Sequence, residues 1–346
     1  MNTFSHIFLH MPVGDLIDRP QYVQSLCREI ERVDPGFEHA PLASIYIAGG
    51  VDCWSEPLVL DTSGTLVKMF VFSNSTECTI EITGKSSTSS QLSCWQKSGV
   101  NRISIGTMHF KDTMQKADFY SALKNYSACL SQVGSLFTNI NVDVEMSSEL
   151  SFVQWKQLVA HVADLPITHI SLYAQDVMLD FPAAWYEWAI EYLMSAGYEQ
   201  YEFSHFAKPG YRSTYLQACW SHVPYKGFGA GACSFDGKSR FCNESNIDRY
   251  VEHIMSGTSA IIFHETLTEK EIWLEKLLVG LRRKEGVFLY EIMKDFSKEQ
   301  QELFLNKISV LKKKKLLYEH NGMLSLTVRG MMLENQILID LITEYN

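Results

Sequence analysis

Closely spaced cysteines are missing from this chain of 346 residues. Its eight cysteines stand at positions 27, 53, 78, 94, 129, 219, 233 and 242, and no two of them form a CxxC or CxxxC pair. That excludes a zinc ribbon and a local cluster-binding loop. Also absent is any run of about 18 apolar residues, so no membrane span is expected. Met1 to His10 shows no basic leader, long apolar region or small-residue cleavage site. A cytoplasmic chain with reduced thiols is therefore expected. Positive charge is in short supply: 30 Lys and Arg against 40 Asp and Glu give a net charge of -10. Nucleic acid is accordingly not an expected partner, and Lys312 to Lys315 reads as a solvated helix end. HExxH, Walker and nucleophile-elbow strings do not occur.

What the chain does have is core. Hydrophobic residues make up 46% and charged residues 20%, which excludes disorder and suits one large or two moderate domains. Apolar, β-branched runs predict strands at Ile7 to His10, Ser44 to Ala48, Cys78 to Ile82, Arg102 to Ile105, Asn139 to Val144 and His169 to Tyr173. Helical periodicity lies between them at Gln21 to Arg32, Asp118 to Gln132 and Phe152 to Val162. This alternation predicts an α/β fold with a parallel sheet, and six repeats suit a partial TIM-like (β/α)6 barrel. A ligand site then belongs at the C-terminal ends of the strands.

The pattern breaks into Gly, Pro and aromatic residues after Lys208, and an irregular connecting segment is expected over 208–266, between a barrel at 1–207 and a module at 267–346. Thr268-Glu269-Lys270-Glu271 offers a capping box. Helices at Leu289 to Phe296 and Lys298 to Lys313 precede a hairpin, Leu317 to His320 and Met323 to Leu326, turning at Asn321-Gly322. A last helix is expected over Val328 to Ile342, making a helical, winged-helix-like C-terminal module. Gly227-Phe-Gly-Ala-Gly231 has the glycine content of a phosphate loop, but Ala232-Cys233-Ser234-Phe235 follows it instead of a helix.

Several strings, in order, resemble the oxygen-independent coproporphyrinogen oxidases and bacterial haem chaperones of the radical S-adenosylmethionine family. They are Gly99-Val-Asn-Arg-Ile-Ser-Ile-Gly106, His169-Ile-Ser-Leu-Tyr173, Ala196-Gly-Tyr-Glu-Gln-Tyr-Glu-Phe203, Phe206-Ala-Lys-Pro-Gly-Tyr-Arg212, Gly227 to Ala232, Gly280 to Val287 and Leu326 to Gly330. The resemblance spans nearly the whole chain. It implies the same partial barrel and helical module as the periodicity.

The departures fall on the chemistry. The family's first strand leads into CxxxCxxC, whose thiolates hold a 4Fe-4S cluster. Here Leu9-His10-Met11-Pro12-Val13 is followed by Gly14, Asp18 and Gln21 at the cysteine positions, and no cysteine precedes Cys27. Glycine has no ligand atom, and carboxylate or amide oxygen suits iron-sulfur clusters poorly, so no cluster is expected. Cys27 reads as a structural thiol in an amphipathic helix. By resemblance, Gly49, Gly50, Glu81, Arg102, Ser104, Gly106 and Asp143 correspond to a pocket for S-adenosylmethionine, with the two glycines allowing close backbone approach to a ligand. The haem-chaperone string His-Asn-x-x-Tyr-Trp falls on Tyr215-Leu216-Gln217-Ala218-Cys219-Trp220. Tyr215, His222, His205 and Cys233 are the candidates for holding haem iron. The leading expectation is a catalytically degenerate member that binds haem or a porphyrin. The alternatives are an enzyme of porphyrin metabolism with a non-standard cluster site, and an interaction scaffold for a protein partner.

Overall fold

Each of the six apolar runs becomes a strand, and the six pair in sequence order. In the computed structural model, which describes residues 4–12, 20–33, 41–49, 54–83, 87–106, 127–146, 150–174 and 183–343, these are β1 (His6–His10), β2 (Ser44–Ala48), β3 (Glu77–Ile82), β4 (Arg102–Ile105), β5 (Asn139–Met146) and β6 (His169–Ala174). All five pairings among them are parallel. The connections carry helices α1 (Pro20–Glu31), α2 (Glu56–Met69), α3 (Ser89–Lys97), α4 (helical residues 127–134), α5 (Phe152–Ala163) and α6 (Ala183–Ser195). The sheet is extended at one edge by β8 (His205–Ala207) and β7 (Glu199–Gln200), both antiparallel, and at the other by β9 (Lys226–Phe228), parallel to β1.

Strict alternation along these strands separates two chemistries. Ile7, Leu9, Ile45, Ile47, Ile80, Ile82, Ile103, Ile105, Ile140, Val142, Ile170 and Leu172 are buried in the core under the helices. Burying each contributes roughly 2 kcal/mol. The intervening positions, from Phe8 and His10 round to His169 and Ser171, are mostly polar and form the inner face. Strands buried on both faces ordinarily read as continuous apolar runs. A polar inner face that is nonetheless buried marks this interior as built for something other than packing.

The stretch 208–266, expected to be irregular, is largely regular. It holds α7 (Thr214–Trp220), β9, a three-stranded antiparallel sheet of β10 (Cys233–Phe235), β11 (Ser239–Asn243) and β12 (Ile261–Thr266), and α8 (Ile247–Ser256). The glycines that looked like loop residues let strands cross closely: a Cβ on Gly227 would lie 2.1 Å from the Cys233 carbonyl oxygen. Cys233 and Cys242, opposed across β10 and β11, form a disulfide. This corrects the expectation of eight reduced thiols; Cys27, Cys78, Cys94, Cys129 and Cys219 are not in a disulfide.

The C-terminal module matches its expected outline. Thr268 and Glu271 form the capping box of α9 (Glu269–Arg282). After β13 (Val287–Phe288), α10 (Leu289–Met293) and α11 (Lys298–Lys313), the hairpin β14 (Leu317–His320) and β15 (Met323–Leu326) turns with Asn321 at φ 49° and Gly322 at φ 78°. Those angles are what a two-residue hairpin turn of this hand requires. The last helix is two: α12 (Val328–Met331) and α13 (Glu334–Ile342), with Leu333 at φ -118°, outside the helical region, between them. No helix among the described residues is long and apolar enough to cross a membrane.

Candidate functional site

Asn141 organises the inner face. Its amide nitrogen donates to Ser104 Oγ and to Asp143 Oδ1, both at 2.8 Å. Its carbonyl oxygen accepts from His169 Nδ1 at 2.6 Å and from the Ser171 hydroxyl at 3.1 Å. With Nδ1 donating, His169 Nε2 accepts from the Tyr201 hydroxyl at 2.7 Å. Burial, and then the charges of Arg102 and His205, hold His169 well below the ordinary histidine range. The ring is therefore neutral and fixed in one tautomer.

Three charged groups face this network with fewer partners than they need. Arg102 is fully buried; Nη1 reaches Thr79 Oγ1 only at 3.5 Å, and Nε and Nη2 have no hydrogen-bond partner among the described residues. Burial and the neighbouring Asp143 push the Glu81 carboxyl up, against a 3.3 Å hydrogen bond donated by Tyr46. Burial also pushes Asp143 up, although Asn141, Ser171, His205 and Arg102 all pull the other way. Buried polar groups in folded proteins are nearly always paired, so this under-partnered guanidinium and the two raised carboxyls make the inner face a candidate binding site.

A raised carboxyl pKa has a defined consequence for stability. The folded state holds its proton to higher pH than the unfolded one, so stability falls as pH rises from the ordinary Asp value of 3.8 through the folded value. Asp143→Asn removes that penalty and keeps an oxygen for Asn141. The variant is expected to melt at higher temperature than the parent near neutral pH, by about 1 kcal/mol in stability. The gain should shrink as pH approaches about 3.5. Melting curves across this range check it, and a gain independent of pH would remove the electrostatic explanation.

Beside the network runs a second chain of bonds. Tyr173 meets His205 Nε2 at 3.1 Å, His205 Nδ1 donates to Glu202 Oε2 at 2.6 Å, and Arg282 Nε donates to Glu202 Oε1 at 2.8 Å. Both His205 nitrogens are thus engaged, and the side chain is 2% exposed. His205 has no free nitrogen for haem iron, which corrects the expectation from sequence.

The other haem candidates also lie away from an open coordination position. Tyr215 closes the floor of the barrel, its ring 5.0 Å from Tyr46 and 6.3 Å from Phe8. Burial, then Cys219, drives its phenol far above the ordinary range, against a tyrosinate ligand. Beneath it, Glu77 accepts from Ser213 Oγ at 2.9 Å and from the amides of Thr214 and Tyr215, fixing the start of α7. His222 bonds Glu275 at 2.9 Å and packs edge-on against Phe235. Cys233, being disulfide-bonded, offers no thiolate.

Gly49 also has a different role from the one expected. A Cβ there would lie 2.3 Å from the Met11 carbonyl oxygen, so its smallness admits the end of β1 rather than a ligand. Gly106 continues the β3–β4 ladder, its amide donating to Ile82 at 2.8 Å. Gly14, Asp18 and Gly50 lie outside the described residues. Gln21 is exposed in the first turn of α1 and lines a groove with Cys27. Among the described residues the donor set does not fit a 4Fe-4S cluster. The stretch before Cys27 supplies no thiolate, the described cysteines outside the disulfide sit on separate elements, and no described group of three His, Cys, Asp or Glu is placed to hold a metal.

Asn141, His169, Tyr46, Tyr201 and Glu202 were not singled out from sequence. For Asn141, His169 and Tyr46 the signal was present as polar or aromatic residues at every second position of otherwise apolar strands; Tyr201 and Glu202 lie between β7 and β8, where no such alternation marks them.

Comparison with known proteins agrees with this architecture. Residues 267–333 match the family model of the HemN C-terminal domain. The chain is 25% identical to the haem chaperone HemW of Lactococcus lactis over 91% of its length and 88% of the relative's. It is 25% identical to HemW of Bacillus subtilis, covering 92% and 90%. The solved structure of Escherichia coli coproporphyrinogen III oxidase HemN, described as a radical SAM enzyme, superposes with a TM-score of 0.79 at 17% identity, covering 99% of this chain and 91% of that one. The sequence matches and the C-terminal domain make this chain similar to the HemW haem chaperones, and it shares the fold of HemN.

Proposed function

We propose that this chain handles haem by binding it, as a chaperone-type relative of the HemW proteins that has given up radical chemistry. The observation that carries the reading is similarity to haem chaperones across nine-tenths of the chain, combined with the loss of every cysteine before Cys27. The cluster would supply the electron that starts radical chemistry, and the donor set for it is gone. The polar interior, by contrast, is suited to holding a ligand. Arg102 has two unpaired donors for an anionic group, while Glu81 and Asp143 accept from hydroxyl or ammonium groups. Those three residues are also the ones that correspond to the family's pocket for S-adenosylmethionine, so a nucleoside-bearing cation is the second ligand this interior fits.

Titration of the purified chain with ferric haem tests the reading. A saturable one-to-one Soret shift is expected, and calorimetry with S-adenosylmethionine on the same sample reports on the interior pocket. A flat haem titration would leave the barrel as a scaffold for a protein partner.

A further inference from the structure

We infer that His10 supplies the axial nitrogen to haem iron; the inference rests on the haem-handling reading above. His10 is the last residue of β1, on the inner face with Phe8, at the strand end where barrel sites are built. Its Nδ1 lies 2.6 Å from the carbonyl oxygen of Ala230. A carbonyl can only accept, so Nδ1 carries the proton and Nε2 carries the lone pair. This is how iron- and zinc-binding histidines are oriented: the far nitrogen is tied to an acceptor and the near one is left to bind metal. Nε2 makes no hydrogen bond among the described residues.

The surroundings hold this arrangement in place. The Tyr22 hydroxyl donates to the His10 carbonyl oxygen at 2.6 Å and accepts from the Ala230 amide at 3.1 Å, tying the strand end to the glycine string. Gly229, at φ 101°, lies so close that a Cβ would sit 2.5 Å from the His10 carbonyl oxygen. On the neighbouring strand the register partner of His10 is Ala48, and Gly49 follows so close to the ring that an added Cβ would lie 3.0 Å from His10 Cδ2.

The same geometry selects haem iron over a bare metal ion. A bare ion needs three or more protein donors, and no such described group exists. Porphyrin brings four nitrogens of its own, so one imidazole completes the attachment. Of the four residues first read as iron ligands, His205 and Cys233 are fully engaged and Tyr215 is in the floor; His222 has one nitrogen on Glu275 and its ring against Phe235, and it follows α7 rather than ending a barrel strand.

The test is a ferric haem titration of the full chain and three variants, with circular dichroism as a fold control. His10→Ala is expected to bind haem at least about tenfold more weakly, since even the outer partners of metal ligands contribute that much. His222→Ala is expected to bind like the parent. His10→Cys is expected to bind with the optical and electron-paramagnetic signature of thiolate-ligated iron, a change no merely structural residue could produce. If the parent binds but His10→Ala binds equally and His10→Cys keeps the parental spectrum, the ligand is elsewhere and the inference falls while the haem reading stands. If the parent itself shows no Soret shift, the haem reading falls and takes the inference with it.

Discussion

Replacing Arg282 by Leu is expected to cost about 3–5 kcal/mol of folding stability, the usual consequence of stranding a buried charge. Arg282 ends α9 and reaches back to the barrel. Nε donates to Glu202 at 2.8 Å, Nη1 donates to Glu334 at 2.9 Å, and the guanidinium lies 4.6 Å from the Trp220 ring and 5.1 Å from the Phe203 ring. Without it two carboxylates lose their cation, and Glu202 has no exposure to water at all. The two partners respond differently to the same arginine. Burial pushes Glu202 up, but His205, Arg282 and the Ser204 amide outweigh it, and the carboxyl ends below its ordinary value of 4.5. At Glu334 burial wins over Arg282, and the carboxyl ends above it.

The pH dependence follows in sign. A depressed carboxyl stabilises the fold above its unfolded pKa, and that stability is lost as pH falls through the folded value. The parent should therefore lose this contribution in acid, while Arg282→Leu, left with only His205 and the Ser204 amide beside Glu202, has less to lose. Urea unfolding should show the gap between them narrowing from neutral pH towards about pH 3.5. A loss under about 1 kcal/mol at neutral pH, the scale of an exposed ion pair, would show that the bridge holds little.

Gly49→Ala is the second large effect, at roughly 3 kcal/mol. Gly49 has φ 108°, which an L-residue adopts only with strain, and its added Cβ would lie 2.3 Å from the Met11 carbonyl oxygen. Backbone cannot step aside as a side-chain end can, so β1 and β2 must part where the Met11 amide donates to Ala48 at 2.8 Å. Gly64→Ala is the matched control. Gly64 is in the middle of α2 with nothing within 4 Å of an added Cβ, so alanine there should stabilise by about 0.5–1 kcal/mol. Thermal melts of both variants decide the matter, and equal effects at the two glycines would contradict the account.

Much of the fold is legible in the sequence because its strands are short, apolar and separated by capped helices. Ser44–Ala48, Arg102–Ile105, Lys298–Lys313 and both hairpin strands fall where periodicity and the Asn-Gly turn put them. The stretch from 208 to 266 was misread because glycine signals a loop by default. Here Gly227 and Gly229 are close-approach residues inside and beside β9, a fact that only the neighbouring backbone reveals. The interior was half legible. Glu81, Arg102 and Asp143 could be named by resemblance, but their shared partner Asn141 could not, because nothing local distinguishes an asparagine that saturates four bonds from one on a surface. His10 was quoted only as part of a strand end; its tautomer depends on Ala230, which is far away along the chain.

Glu77, Tyr215 and α7 pack across the N-terminal end of the inner face. On the proposed reading, cargo would then approach from the opposite end of the strands, and a donor delivering it and an acceptor collecting it would share that rim in turn.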